Sequence, residues 1–165
     1  MEFKRSHLGF TMIELIMVIV IVGILAAVAI PKFAMNRNDA IKTTAKTVIS
    51  SIRSALATEK QRRVLSGNFQ SIYRLNKVGG YNQPIFDAFD TDRENSVLEY
   101  PLTSCKNSTS TGCWMETGVG SKTNPISTYT YTMPQSASKK AIFQLKNNKF
   151  NCKTTTDVYC KELTR

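Results

Sequence analysis

Hydrophobic and polar positions along the chain fall into three regimes. Residues 8–30, LGFTMIELIMVIVIVGILAAVAI, are apolar except for Thr11 and one carboxylate, Glu14, and residues 15–30 carry no charge. As a single helix, residues 10–30 would run about 31 Å at 1.5 Å per residue, close to the ~30 Å hydrocarbon core of a bilayer. From 32 to 66 the pattern becomes amphipathic. Phe33, Ile41, Ala45, Val48, Ile52 and Leu56 form one stripe, mostly in steps of three and four, with Ile49 and Ala55 beside it. Lys42, Lys46, Thr47, Ser50 and Arg53 lie largely off that stripe. Glu59 and Arg63 are spaced as a favourable helical pair. Ser66-Gly67-Asn68 marks a stop, with Gly67 suited to a left-handed cap. The two regimes together predict one helix of roughly 55 residues. Pro31 lies within it, where a proline kinks a helix. The stripe covers too few heptads for a coiled-coil stalk, so it is expected to pack on a sheet of the same chain.

Beyond residue 66 the periods shorten. Residues 127–133 alternate strictly, with Tyr129, Tyr131 and Met133 on one face and Thr128, Thr130 and Thr132 on the other. That is the pattern of a half-buried strand. Residues 141–145 and 149–153 are expected to pair as a hairpin across Lys146-Asn147-Asn148-Lys149, because asparagine tolerates the turn conformation. Residues 97–102 read as a further strand, and residues 69–76 as a short helix. A long helix followed by a small antiparallel sheet is an α+β fold.

The apolar stretch is preceded by a short basic leader, MEFKRSHLG. An ordinary secretory signal would offer the same basic start and apolar run, with a small-residue cleavage site at Ala27-Val28-Ala29. That reading implies a soluble periplasmic binding module as the mature product. Glu14 argues against it, because an acidic residue within a membrane helix costs about 2.5–3.5 kcal/mol on insertion scales. Such a residue is by default a functional one.

Residues Gly9-Phe10-Thr11-Met12-Ile13-Glu14-Leu15 resemble the processing site of type IV prepilins and of the pseudopilins of type II secretion. The resemblance covers the basic leader, Gly9, Phe10, a glutamate at the fifth mature position, and Pro31 at the end of the apolar run. It implies that a prepilin peptidase cleaves after Gly9 and N-methylates Phe10. It also implies that the helix is retained and later enters a filament core, where Glu14 meets the Phe10 amine of a neighbouring subunit. The simpler role for Glu14 is pairing with Lys4 or Arg5 at the membrane surface before cleavage.

The expected organisation is a cleaved leader at 1–9, a transmembrane and filament-core helix at 10–31, an amphipathic helix at 32–66, and a globular α+β head at 67–165. The resemblance further implies a pilin-like fold, with other pilin or pseudopilin subunits and an inner-membrane assembly platform with an ATPase as partners. Lys4 and Arg5 orient the helix as a single pass of the bacterial inner membrane, with the head in the periplasm.

Charge sharpens this picture. The 165 residues carry a formal charge of +10. Residues 32–66 hold eight basic and two acidic residues, 67–102 three and five, and 103–165 nine and three. Basic ends around an acidic middle favour subunit contacts. They also raise DNA uptake by a minor pilin as an alternative, beside adhesion by such a subunit. The densest basic run, Lys60-Gln61-Arg62-Arg63, reads first as a solvated helix end favourable to the helix dipole. Asp87, Asp90, Asp92 and Glu94 superficially resemble the start of a calcium loop. The glycine and closing glutamate of such a loop are missing, so a solvated acidic loop is expected and no metal is assigned.

Cys105, Cys113, Cys152 and Cys160 suit an oxidising compartment. Three pairings exist. Cys105–Cys113 and Cys152–Cys160 are favoured because CKNSTSTGC and CKTTTDVYC are polar loops, with cross-pairing as the alternative. The only histidine, His7, lies in the leader, and no glycine-rich phosphate loop or paired metal motif is present. No enzymatic activity and no cofactor are expected. Trp114 reads as a packing residue, and Asn107-Ser108-Thr109 matches a glycosylation sequon that sequence alone leaves incidental.

Overall fold

In the computed structural model, residues 10–90 and 95–165 are described, without the side chains of 29–36. The chain divides into two compact units, Met1–Arg37 and Asn38–Arg165. Helix α1, Met12–Leu65, contributes to both and continues through Pro31 over 54 residues.

The start of α1 is set by Thr11. Its carbonyl accepts the Leu15 N–H at 3.2 Å, and its hydroxyl accepts the Glu14 N–H at 3.3 Å. The end is a Schellman turn. Gly67, at φ +76°, donates to the Val64 carbonyl, and Asn68 donates to the Arg63 carbonyl at 2.8 Å. These bonds satisfy carbonyls that the last helical turn leaves open. The left-handed φ explains a glycine at this position.

In the second unit, α1 buries Ala45, Val48, Ile49, Ile52 and Leu56. These residues meet a four-stranded antiparallel sheet made of β3 (Cys113–Gly118), β4 (Ser127–Thr132), β5 (Lys140–Lys146) and β6 (Lys149–Cys152), in that order. Between helix and sheet lies an aromatic cluster. Trp114 packs edge-on to Phe86 with centroids 5.5 Å apart, and Phe143 stacks on Phe150 at 5.1 Å. Trp114 is therefore a core residue.

The β5–β6 turn is formed by Asn147 and Asn148 at φ +53° and +59°. Two positive-φ residues match the tight hairpin turn that follows strand twist. β4 is buried on both faces rather than on one. Thr130 and Thr132 are covered as well as Tyr129 and Tyr131, because β3 and β5 flank them.

Three expectations fail. Residues 69–76 form no helix. Their amides are taken by side chains from elsewhere: Ile72 by Asn148, Tyr73 and Arg74 by Asp90, and Leu75 by Tyr129. Of residues 97–102 only Leu102 is in a strand, β2 (Leu102–Thr103), paired with β1 (Pro84–Ile85). The polar stretch after Cys152 contains a short helix, α2 (Val158–Thr164), capped by Asp157, whose carboxylate accepts the Cys160 N–H at 3.0 Å. The disulfides join Cys105 to Cys113 and Cys152 to Cys160.

Candidate assembly site

Fourteen large apolar side chains between Phe10 and Val28 are exposed, from Ile16 at 51% to Phe10 at 85%. They lie on every face of the helix. A helix that is apolar all round is a buried one, so this surface is complete only when something covers it. Among the described residues no helix is long and apolar enough to cross a membrane. The described side chains of this stretch end at Val28.

Glu14 is the single carboxylate on that surface and is exposed. The structure adds a local role that sequence reading overlooked. Thr11 and Glu14 have the spacing of a capping box, and its first half is formed: the Thr11 hydroxyl accepts the Glu14 N–H. A carboxylate here also faces the positive end of the helix dipole. The T-x-x-E spacing before an apolar run was the available signal. Gly9, Lys4 and Arg5 lie outside the described residues, as do the side chains of Pro31 and Phe33.

At the other end of α1, charge is organised internally. Glu59 is only 5% exposed and accepts from Arg62 at 2.8 Å and from Arg63 at 2.7 Å. Burial alone would raise the Glu59 pKa, but the two arginines outweigh it and hold the carboxyl below its ordinary value. Arg63 donates onward to Asp90 at 2.7 Å. Asp90 also accepts the Tyr73 and Arg74 amides at 2.7 and 3.0 Å.

Arg74 grips both oxygens of Glu116, at 2.8 and 2.6 Å, a bidentate geometry that strengthens the pair. The Glu116 bond is the largest influence on Arg74 and raises its pKa. Asn76 donates to Glu116 at 3.0 Å and accepts from the buried Tyr129 hydroxyl at 2.9 Å. Gly79 leaves room for this carboxylate, since an added Cβ would sit 2.6 Å from Glu116 Oε2.

Two sequence expectations are corrected here. Arg63 is not part of a solvated basic run, because its guanidinium joins Glu59 to Asp90. Asp90 is not part of a solvated acidic loop, and Asp87 accepts the Lys77 amide at 3.0 Å. Asp92 and Glu94 lie outside the described residues. Among the described residues, no group of three or more potential ligands is placed to hold a metal ion. A cleft of about 290 Å³ beside α1 is lined by Ile41, Ala45, Val48, Leu102 and Trp114 among others, without a carboxylate or amine.

Comparison with known proteins agrees with the N-terminal geometry. The prokaryotic N-terminal methylation motif matches residues 4–30. Over its N-terminal third the chain is similar to type IV pilins and to a type II secretion core protein.

Type II secretion system core protein G of Pseudomonas aeruginosa is 43% identical over 53 residues, 32% of this chain and 37% of that protein. The type IV major pilin protein PilA of Myxococcus xanthus is 42% identical over 54 residues, 33% of this chain and 24% of the relative. The type IV narrow pilus major component PilA5 of Thermus thermophilus is 45% identical over 49 residues, 30% and 42% of the two chains. The chain thus spans about a quarter to two fifths of the curated relatives it matches. No solved structure matches it. The α+β arrangement of helix and small antiparallel sheets is pilin-like.

Proposed function

We propose that this protein is a structural subunit of a type IV pilus-like filament or of a type II secretion pseudopilus, without enzymatic activity. In this reading a prepilin peptidase removes residues 1–9 after Gly9 and N-methylates Phe10. Residues 10–31 then hold the protein in the bacterial inner membrane with its head in the periplasm. An assembly platform driven by a separate ATPase transfers that helix from lipid to a bundle of like helices, and Pro31 allows a bend where it meets residues 32–66.

The observation that carries this reading is the all-round exposure of apolar side chains from Phe10 to Val28. Lipid and a bundle of apolar helices both satisfy such a surface, and water does not. Glu14 then has a natural partner. Cleavage frees an amine at Phe10 whose reference pKa is about 7.7–8.0, so it is largely cationic at neutral pH. A buried carboxylate is costly alone and far less so when paired. Matching Glu14 to the amine of a neighbour would set register, as one polar residue does in a coiled-coil seam.

Mass spectrometry of the sheared cell surface and of the inner membrane tests the proposal. An N-methylated Phe10 peptide abundant in the sheared fraction identifies a pilus subunit. The same peptide confined to the membrane favours a pseudopilin or a minor subunit. A mature chain starting after Ala29 would refute both and restore the soluble binding module.

A further inference from the structure

The loop from Cys105 to Cys113 displays the triplet Asn107-Ser108-Thr109. It is closed at its base by the disulfide, and Lys106, Asn107, Ser108 and Thr109 are exposed. Asn107 folds the loop around its own carboxamide. Its Oδ1 accepts the Thr109 N–H at 3.1 Å, the Thr109 hydroxyl at 2.9 Å and the Ser110 hydroxyl at 2.9 Å. The Asn107 N–H donates to Ser110 Oγ at 3.2 Å, completing the turn. The carboxamide oxygen is therefore fully engaged, while Nδ2 makes no hydrogen bond among the described residues. An Asn-x-Thr triplet is the acceptor sequence for N-linked sugar and belongs on a surface loop of an exported protein.

We propose that Asn107 is an acceptor for N-linked glycosylation, with Thr109 as the hydroxyl residue that presents it. The donor class is an oligosaccharide carried on a lipid diphosphate. The bond between sugar C1 and the donor phosphate oxygen breaks, and a bond from C1 to Nδ2 forms. The lipid diphosphate leaves with the electron pair, and a base of the transferase takes the amide proton. The disulfide keeps the sugar's attachment point on the surface, so the added bulk leaves the helix-sheet core undisturbed. The inference rests on export of the head as proposed above.

The test is peptide mass spectrometry on protein isolated from its own cells, reading the Cys105–Cys113 fragment and the N-terminal peptide together. The expected result is a hexose-type mass increment on Asn107, lost in Asn107→Gln and Thr109→Ala and kept in Thr109→Ser. A chain processed at Phe10 with an unmodified Asn107 overturns this inference alone. An increment that persists in Asn107→Gln places the sugar on a hydroxyl and overturns it too. An unprocessed chain with a bare Asn107 overturns both this inference and the filament reading.

Discussion

The two parts of α1 are helical for different reasons. From Asn38 onward the helix has one buried stripe and is held by a sheet, an aromatic cluster and an ion network in its own unit. From Met12 to Val28 its apolar side chains are exposed on all faces among the described residues. Isolated helices are marginal in water, so the part from Asn38 onward draws its stability from packing within its own unit. The two glutamates make the same contrast. Glu59 is buried with two arginines, whereas Glu14 is exposed, with its N–H held by the Thr11 hydroxyl. One part of the helix is covered by its own unit, and the other presents its apolar side chains exposed.

The strongest break of this comparison is deletion of residues 10–28. It should abolish membrane retention and filament formation, yet leave cooperative melting of the 38–165 unit unchanged by calorimetry. A head that no longer folds would erase the distinction between the two parts.

Next comes Glu14. Glu14→Ala should abolish filaments while N-terminal processing continues. Glu14→Gln discriminates its two roles, since glutamine serves a capping box but carries no charge to pair with an amine. Filaments restored by glutamine would make the polar side chain at the helix start, and not the charge, the part of Glu14 that matters.

Within the head, Glu116→Ala should destabilise by about 3–5 kcal/mol, the cost of leaving a buried partner uncompensated. Urea titration of the purified protein measures it. Ile52→Ala should cost about 2–5 kcal/mol through the cavity it leaves. The matched change Ile19→Ala should leave head melting unmoved. Equal effects at the two isoleucines would mean the parts are not independent.

The smallest expected effect is on pH dependence. The Glu59 pKa is depressed on folding, so its contribution is fully present above the unfolded carboxyl value of about 4.3. It is lost as pH falls through the folded value. Thermal melts between pH 2 and 6 should show an acid limb that Glu59→Gln flattens.

The long helix was legible because its signals are local. An uncharged run of sixteen residues, 15–30, and a stripe in steps of three and four need no knowledge of the rest of the chain. The alternation at Tyr129 and Tyr131 and the Asn147-Asn148 turn were legible for the same reason. The capping box at Thr11 was equally local and was overlooked because Glu14 was weighed only as a charge in lipid. Residues 69–76 misled for the opposite reason. Their helical appearance is overridden by acceptors from distant segments, such as Tyr129, 54 residues from Leu75.

By itself, then, the sequence determines where α1 runs, which face of its second part is buried, and that residues 9–15 resemble a prepilin processing site. Each of these is written in neighbouring letters. Only the tertiary structure decided that Arg63 and Asp90 belong to an internal ion network, and that Arg74 clamps Glu116 across 42 residues. It alone decided which cysteines meet and that Asn107 gathers its own loop around its carboxamide oxygen. A charge displays its sign in the sequence, but its partner and its desolvation depend on which distant segments the fold brings within about 3 Å.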